Sequence, residues 1–208
     1  MALTSARFME PTLPTLPTNL HWHNLPSDWQ IQPEHRLSIT AGAQTDWFTN
    51  PAGGDLKDSA PAALFHPPDE NFTLSAKVTV DFASTFDAGV LQVRESDSLW
   101  AKFCFEYSPQ KQPMIVSVVT RGVSDDCNSQ LIEGNEIYLR VTRKAEILAF
   151  HFSHDALFWH LVRYFTLGAL NNLRVGFSSQ SPTGLRCQSV FSGVRYQARI
   201  LSDFRNGE

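Results

Sequence analysis

The 208-residue sequence contains few cysteines, no long apolar run and no dense cluster of basic residues. Its three cysteines, Cys104, Cys127 and Cys187, are odd in number and form no CxxC pair. This pattern argues against a disulfide framework, because such frameworks use paired cysteines in oxidising compartments. We therefore expect free thiols and a cytoplasmic protein.

Long apolar segments are also missing. No run approaches the roughly 20 residues of a membrane-spanning helix, and residues 1–20 lack the apolar core of a signal peptide before their prolines. The 17 basic residues are outnumbered by 21 acidic ones and form no block, whereas nucleic-acid binding needs a clustered basic surface. We expect no export, no membrane partner and no nucleic-acid partner.

The third absence is a helical repeat, since no window carries a 3.6-residue apolar period over three turns. Residues 72–82 instead alternate strictly between apolar and polar side chains, as a half-buried strand does. Similar strand-like runs occupy residues 37–40, 62–65, 89–93, 100–107, 114–121, 136–143, 147–153, 158–164, 173–178 and 190–200. Gly, Pro, Asn, Asp and Ser separate these runs, which predicts an all-β, two-sheet antiparallel jelly-roll sandwich.

No linker or internal repeat divides the chain. We expect an extended N-terminal arm over residues 1–19, because this segment is rich in proline and threonine. Residues 20–200 are predicted to form a single sandwich domain, since sandwiches of this length commonly do. Residues 201–208 are expected to be a frayed C-terminal tail.

Ionised residues lie inside the strand-like run WAKFCFEY at residues 100–107. By two-residue alternation, Phe103 and Phe105 point to one face of the strand, whereas Trp100, Lys102 and Glu106 point to the other. Burying a lysine or a glutamate alone is costly, so both must be solvated or paired in a cleft. One face of this strand therefore predicts core, and the other predicts a binding site.

Neighbouring segments add polar groups to the predicted site. If residues 114–121 pair antiparallel with residues 100–107, Arg121 comes close to the polar face, and Asp125 and Asp126 follow in the adjoining loop. Gln180, in the SQSP turn, is a further candidate.

Two tryptophans are candidates for stacking on a ligand. Trp47 is expected at the rim of the groove and Trp100 on the polar face of its strand. An aromatic ring covers the C–H side of a sugar, while charged groups bind the hydroxyls. The alternative is that both rings only close the mouth of the sandwich.

The segment FHFSHDALFWHLVRYF, residues 150–165, resembles the S-x-D-x-x-x-W hairpin near the end of concanavalin A-like domains, with Ser153, Asp155 and Trp159. Five other segments extend the similarity: TDWF at 45–48, FDAGVL at 86–91, WAKFCFEYSP, VVTRGVSDDC and VGFSSQSPTG. Over residues 20–197 the sequence resembles the regulation-of-enolase family of concanavalin A-like domains.

The resemblance implies a curved sheet whose groove binds sugars in other members of this architecture. The family pattern is matched at Lys102, Glu106, Arg121, Ser124, Asp125, Arg140 and Gln180 to Pro182. The sequence departs from that pattern at Asp126, where many relatives have tryptophan. It departs again at Ala156, where relatives have glycine, which accepts positive φ more readily.

We therefore expect non-catalytic binding of a polar small ligand, with a carbohydrate favoured, in the groove of the curved sheet. The expected ligand-binding residues are Trp47, Trp100, Lys102, Glu106, Arg121, Asp125 and Gln180. Three alternatives remain open. The charged residues could form a purely structural ion-pair network, or the protein could be a regulatory or protein-interaction module related to enolase control.

The third alternative is a glycoside-active enzyme that uses Glu106 with Asp125 or Asp126. Lys102 and Arg121 are expected to lower the pKa of Glu106, which is the wrong direction for a general acid at neutral pH. Whether the protein is an enzyme is left open.

We expect no cofactor and no bound metal. His21 and His23 could share one face of a strand, but the sequence shows no third ligand. Asp125, Asp126 and Asn128 could offer oxygen ligands to calcium, yet they lack a defined ligand spacing.

Overall fold

The computed structural model describes residues 10–54 and 56–208. In these ranges the chain forms sixteen β-strands and one short 3-10 turn at Pro33–His35. The strands are β1 His21–Trp22, β2 Asp28–Gln32, β3 Arg36–Ala41, β4 Trp47–Phe48, β5 Lys57–Asp58, β6 Ala62–Phe65, β7 Asn71–Val80, β8 Ala88–Arg94, β9 Leu99–Tyr107, β10 Pro113–Arg121, β11 Val123–Leu131, β12 Glu136–Lys144, β13 Ile147–Ser153, β14 His160–Thr166, β15 Arg174–Gln180 and β16 Cys187–Gln197.

Two seven-stranded antiparallel sheets pack face to face. The first sheet has the order β1-β6-β15-β8-β9-β10-β11, and the second has the order β14-β13-β12-β7-β16-β3-β2. A two-stranded ribbon, β4 and β5, lies outside both sheets. This arrangement confirms the predicted all-β, two-sheet jelly-roll sandwich.

The core lies between the inner faces of the two sheets. Phe103 in β9 stacks on Phe150 in β13 with ring centroids 4.8 Å apart, and Phe177 in β15 contacts Phe191 in β16 at 5.0 Å. All four rings are fully buried. Apolar residues at alternate positions of the inner strands supply this core, as the alternation in residues 72–82 predicts.

Strand β11 is a nine-residue element that the sequence pattern does not predict. It pairs with β10 along one side and forms an edge of the first sheet. Eight of its nine residues are exposed, Ser124 being the exception. Its sequence therefore does not need, and does not show, the alternation of apolar and polar residues that identifies a half-buried strand. The expected loop around Asp125 and Asp126 is therefore a strand.

The S-x-D-x-x-x-W hairpin between β13 and β14 is held by its own polar side chains. Asp155 Oδ1 accepts hydrogen bonds from the backbone N–H groups of Leu157 and Phe158 at 2.8 and 2.9 Å. Ser153 Oγ accepts one from the N–H of Ala156, at 2.9 Å. Ala156 has a φ of 63°, the left-handed conformation in which glycine is easier to accommodate.

Both ends of the described chain contact the sandwich. Leu13 and Leu16, within the predicted arm, belong to the main core, while residues 1–9 of that arm lie outside the described residues. At the other end, Leu201 and Phe204 are buried, and His151 Nε2 donates to the carbonyl of Phe204 at 2.7 Å. The expectation of a frayed tail at residues 201–208 is wrong, because apolar contacts and hydrogen bonds hold it on the second sheet.

Candidate functional site

A short segment, residues 45–49, crosses the outer face of the first sheet, and we call it the strap. One end forms an antiparallel bridge from Thr45 to Ser181, at the end of β15. At the other end the backbone N–H of Thr49 donates to Ser124 Oγ, and the N–H of Ser124 donates to the carbonyl of Thr49, both at 2.9 Å. The strap therefore spans the sheet from β15 to the edge strand β11.

Trp47 points from the strap into the sheet and is 1% exposed. Its ring lies 6.3 Å from the ring of Trp100 and 5.2 Å from that of His23, and the Arg94 guanidinium lies 4.6 Å from it. Trp100 is also 1% exposed. The prediction that Trp47 and Trp100 offer stacking faces to a ligand is wrong, because both rings are packed beneath the strap.

A pocket of about 430 Å³ opens beside the strap. Its lining combines charged side chains from the sheet and the strap with apolar and aromatic groups. The lining residues are Asp46, Phe48, Asn50, Gly53, Gly54, Lys57, Phe86, Lys102, Glu106, Val116, Val118, Asp126, Gln180, Pro182 and Thr183. The outer face of the first sheet is thus partly covered by the strap and partly open as a pocket.

A buried hydrogen-bond network forms one side of the pocket. Lys102 Nζ donates to Asp46 Oδ1 at 3.2 Å and to Gln180 Oε1 at 2.9 Å. Gln180 Nε2 in turn donates to the carbonyl of Phe86 at 3.0 Å and to Glu106 Oε2 at 3.5 Å. Of the expected ligand-binding residues, the structure brings together Lys102, Glu106 and Gln180.

The charges in this network shift each other's pKa. Burial raises the pKa of Glu106 to about 7, although the nearby Lys102 ammonium opposes the shift. Burial lowers the pKa of Lys102, but the negative groups around it, Asp46 foremost, outweigh burial and raise it above its usual value. Lys102 lowers the pKa of Glu106 as expected, but the net shift is upward because loss of hydration is the larger effect at this position.

Arg121 lies on the other face of the first sheet. It pairs with Leu99 across β9 and β10, whereas Lys102 pairs with Val118. Strand alternation therefore points its side chain away from the pocket, and its guanidinium donates to the carbonyl of Thr166 in β14. The expectation that Arg121 joins Lys102 and Glu106 is therefore wrong. The side chain one position earlier in β10 lies on the face of the sheet that carries the pocket, whereas that of Arg121 points to the opposite face.

The same alternation separates the two adjacent aspartates of β11. Asp125 is on the side of the second sheet, where Arg163 Nη2 lies 3.4 Å from its Oδ1. Asp126 lines the pocket and is exposed. Of these two aspartates, Asp126 and not Asp125 therefore shares the pocket with Glu106.

Asp46 and Phe86 are among the pocket residues that were not identified from the sequence. Asp46 accepts the Lys102 hydrogen bond, and it directly precedes the strap tryptophan. Phe86 is 37% exposed at the pocket, with a φ of 71°. Asp87 organises its loop by accepting hydrogen bonds from the N–H groups of Ala83 and Ser84. The sequence signal available for this loop was Asp87, the acidic residue that follows Phe86. That signal did not predict the positive φ of Phe86.

The described residues show no group of three or more His, Cys, Asp or Glu side chains placed to hold a metal ion. His21 contacts Glu10, with Nδ1 2.6 Å from Oε2, while His23 lies against Trp47. Over the same ranges, no helix has the length and hydropathy required to cross a membrane.

The fold is shared with several solved structures. A functionally unknown protein from Saccharomyces cerevisiae is 25% identical, with a TM-score of 0.78 over 88% of this chain and 97% of that one. The carbohydrate-binding module CBM66 from Bacillus subtilis is 12% identical, with a TM-score of 0.53 over 85% of this chain and 94% of that one. At these identities, the bacterial module shows likeness of fold alone.

A xylan beta-1,4-xylosidase from Bacillus halodurans C-125 contains a similar domain. It is 15% identical, with a TM-score of 0.66, and the match covers 85% of this chain but only 36% of the xylosidase. The chain thus corresponds to about a third of that enzyme.

No curated protein matches the chain significantly. A family model does match residues 22–199, which is most of the chain. The description of that family assigns no function, so the link to enolase control stays a prediction. The chain belongs to the family described as protein of unknown function (DUF1349).

Proposed function

We propose that the protein binds a carbohydrate in the pocket beside the strap, without turning it over. The observation that carries the proposal is the combination of a polar buried wall with an exposed aromatic ring in one pocket of about 430 Å³. Small-molecule pockets typically combine apolar surface with a few fixed polar groups. Fold likeness to a carbohydrate-binding module supports the same conclusion.

The polar groups have distinct roles toward a sugar. When ionised, Glu106 accepts hydrogen bonds from sugar hydroxyls. Asp126, which lines the same pocket from the edge strand β11, accepts them as well. Lys102 and Gln180 fix the Glu106 side of the pocket through their hydrogen bonds to one another. Phe86 supplies the ring that covers the C–H face of the sugar.

A thermal-shift screen over neutral sugars and sugar phosphates tests the proposal. A sugar present at a hundred times its dissociation constant should stabilise the protein by about 2.7 kcal/mol. Glu106→Gln should weaken that stabilisation, whereas Glu133→Gln, at an exposed position outside the pocket, should leave it unchanged. A screen without any stabilising sugar would overturn the proposal and favour the protein-interaction module.

A second candidate function is glycoside hydrolysis, and the pKa of about 7 at Glu106 favours it. A general acid must hold a proton near neutral pH, and a second carboxylate must lie in the same pocket. Asp126 supplies that carboxylate. Release of reducing sugar that is lost in Glu106→Gln would establish this function in place of simple binding.

We also propose a reducing, cytoplasmic compartment, which the free thiols support. Cys104 and Cys187 are buried and Cys127 is exposed, all as free cysteines. Burial raises the pKa of Cys187 to about 12, so this thiol stays protonated and unreactive.

A further inference from the structure

The strap limits how a ligand can lie across the sheet. It is fixed to β15 by the Thr45–Ser181 bridge and to β11 by the paired hydrogen bonds between Thr49 and Ser124. Trp47 fills the space beneath it and is 1% exposed. A polymer that lies along the outer face of the sheet is therefore blocked at the strap, by the strap backbone and by the packed ring of Trp47.

A second wall of the pocket, next to the strap, is fixed as well. Thr183 Oγ1 donates to the carbonyl of Thr85, and Ser181 Oγ donates to Asp87 Oδ1, both at 2.7 Å. The backbone N–H of Gln44 donates to the carbonyl of Gly184 at 3.3 Å, so this wall joins the strap beside Ser181. The pocket consequently ends where the strap and the wall meet.

We infer that the pocket binds the end of a saccharide chain rather than an internal stretch, an inference that rests on the carbohydrate-binding function proposed above. A through-going groove would admit a polymer that enters and leaves, but the strap closes one side. A volume of about 430 Å³ lies near the lower end of the range for small-molecule pockets, roughly 300–1,000 Å³. The pocket accordingly suits a terminal unit and the start of its neighbour.

Chain ends also offer the chemistry that this pocket can bind. A terminal sugar has a hydroxyl that is free only because no further unit is attached to it. Glu106 is 7% exposed in the lining, where it can accept hydrogen bonds from the hydroxyls of an inserted unit. Phe86 lies in the same lining, where its ring can cover the C–H face of that unit.

Calorimetric titration with a length series tests the inference. The probes are glucose, xylose, arabinose and fructose, each with its linear disaccharide and hexasaccharide. We expect at least one series to bind with one protein per chain and with affinities for disaccharide and hexasaccharide within threefold. An affinity that rises tenfold or more with length, with several proteins per hexasaccharide, would overturn end binding while leaving carbohydrate binding intact.

A matched pair of variants ties the result to this pocket. Phe86→Ala should weaken binding of the best probe at least tenfold, because it removes the exposed ring at the pocket. Phe158→Ala, which removes a ring that is 66% exposed on the β13–β14 hairpin, should leave affinity unchanged. Equal loss in both variants would overturn the assignment to this pocket, and a complete absence of binding across all series would overturn both proposals.

Discussion

At the scale of single residues, burial outweighs the neighbouring charge at Glu106, whereas the neighbouring charges outweigh burial at Lys102. Glu106 has one cation, Lys102, in its network, yet its pKa is raised because the carboxylate has lost most of its hydration. Lys102 keeps its charge because Asp46 and Gln180 both accept hydrogen bonds from its ammonium group. The two residues are four positions apart in sequence and respond to burial in different ways.

The raised pKa of Glu106 predicts how stability depends on pH. An unfolded glutamate loses its proton near pH 4.5, whereas Glu106 in the folded protein keeps it to about pH 7. Between these values the folded state binds more protons, so this group makes the free energy of unfolding fall as pH rises. Glu106→Gln should remove a fall on the order of 3 kcal/mol.

Urea denaturation from pH 4.5 to pH 8 measures this effect. Glu133→Gln is the control, since its side chain is exposed in the turn between β11 and β12, and it should follow the wild-type curve. If Glu106→Gln also follows the wild-type curve, the carboxylate is ionised throughout and the argument from burial fails.

Ala156 carries a local backbone cost that glycine would relieve. Its φ is 63°, a conformation that costs most residues roughly 1–2 kcal/mol. We expect Ala156→Gly to raise the free energy of unfolding by about 1 kcal/mol. Ala52→Gly, at an exposed position where φ is not positive, should lower stability slightly in the same denaturation assay.

At the scale of elements, the strap determines which part of the outer sheet face is open. Its attachment to β11 depends on Ser124, which accepts from the Thr49 N–H and lies 2.8 Å from the Thr120 hydroxyl. Ser124 is the one buried residue of an otherwise exposed strand. Through this one buried residue, the otherwise exposed strand β11 holds the strap in place beside the pocket.

Removing the Ser124 hydroxyl should loosen the strap. Ser124→Ala leaves the half-buried Thr49 N–H and the buried Thr120 hydroxyl without this partner, which should destabilise the protein by roughly 1–3 kcal/mol. Trp47 fluorescence should shift to longer wavelength, as its ring gains contact with water. Ser129→Ala, an exposed serine of the same strand, should change neither property; an unaltered spectrum in Ser124→Ala would show that the strap is held in another way.

Sequence alternation predicted the elements of the core well, because one face of each inner strand is apolar. It also placed Lys102 and Glu106 together correctly. It misplaced Arg121 and Asp125, because a single residue of register moves a side chain to the opposite face. The burial of Trp47 depends on the strap, a contact between distant parts of the chain that local patterns do not encode.

At the scale of the whole molecule, the C-terminal segment is part of the sandwich. Phe204 is 9% exposed and contacts Tyr164, with ring centroids 5.7 Å apart, while Arg140 Nη2 donates to the carbonyl of Gly207 at 2.8 Å. These contacts cover the outer face of the second sheet. Each sheet of the sandwich thus has an additional segment packed on its outer face.

Phe204→Ala should destabilise the whole domain. Loss of a buried phenylalanine costs roughly 3–5 kcal/mol, and thermal unfolding should therefore occur at a clearly lower temperature. Phe158→Ala, which alters an exposed ring on the β13–β14 hairpin, should leave the midpoint nearly unchanged. Equal midpoints for the two variants would mean that the tail contributes no packing energy.

The two attachments of the strap also bear on protein synthesis. Ser181 and Thr45 are 136 positions apart, and Ser124 and Thr49 are 75 apart. A chain emerging from the ribosome can form hairpins such as β9–β10 early, but it cannot close the strap onto β15 until residue 181 is available. Nascent chains that stop before that residue should hold the charged strand β9 without its complete pocket, and the proposed sugar binding would be acquired late in translation.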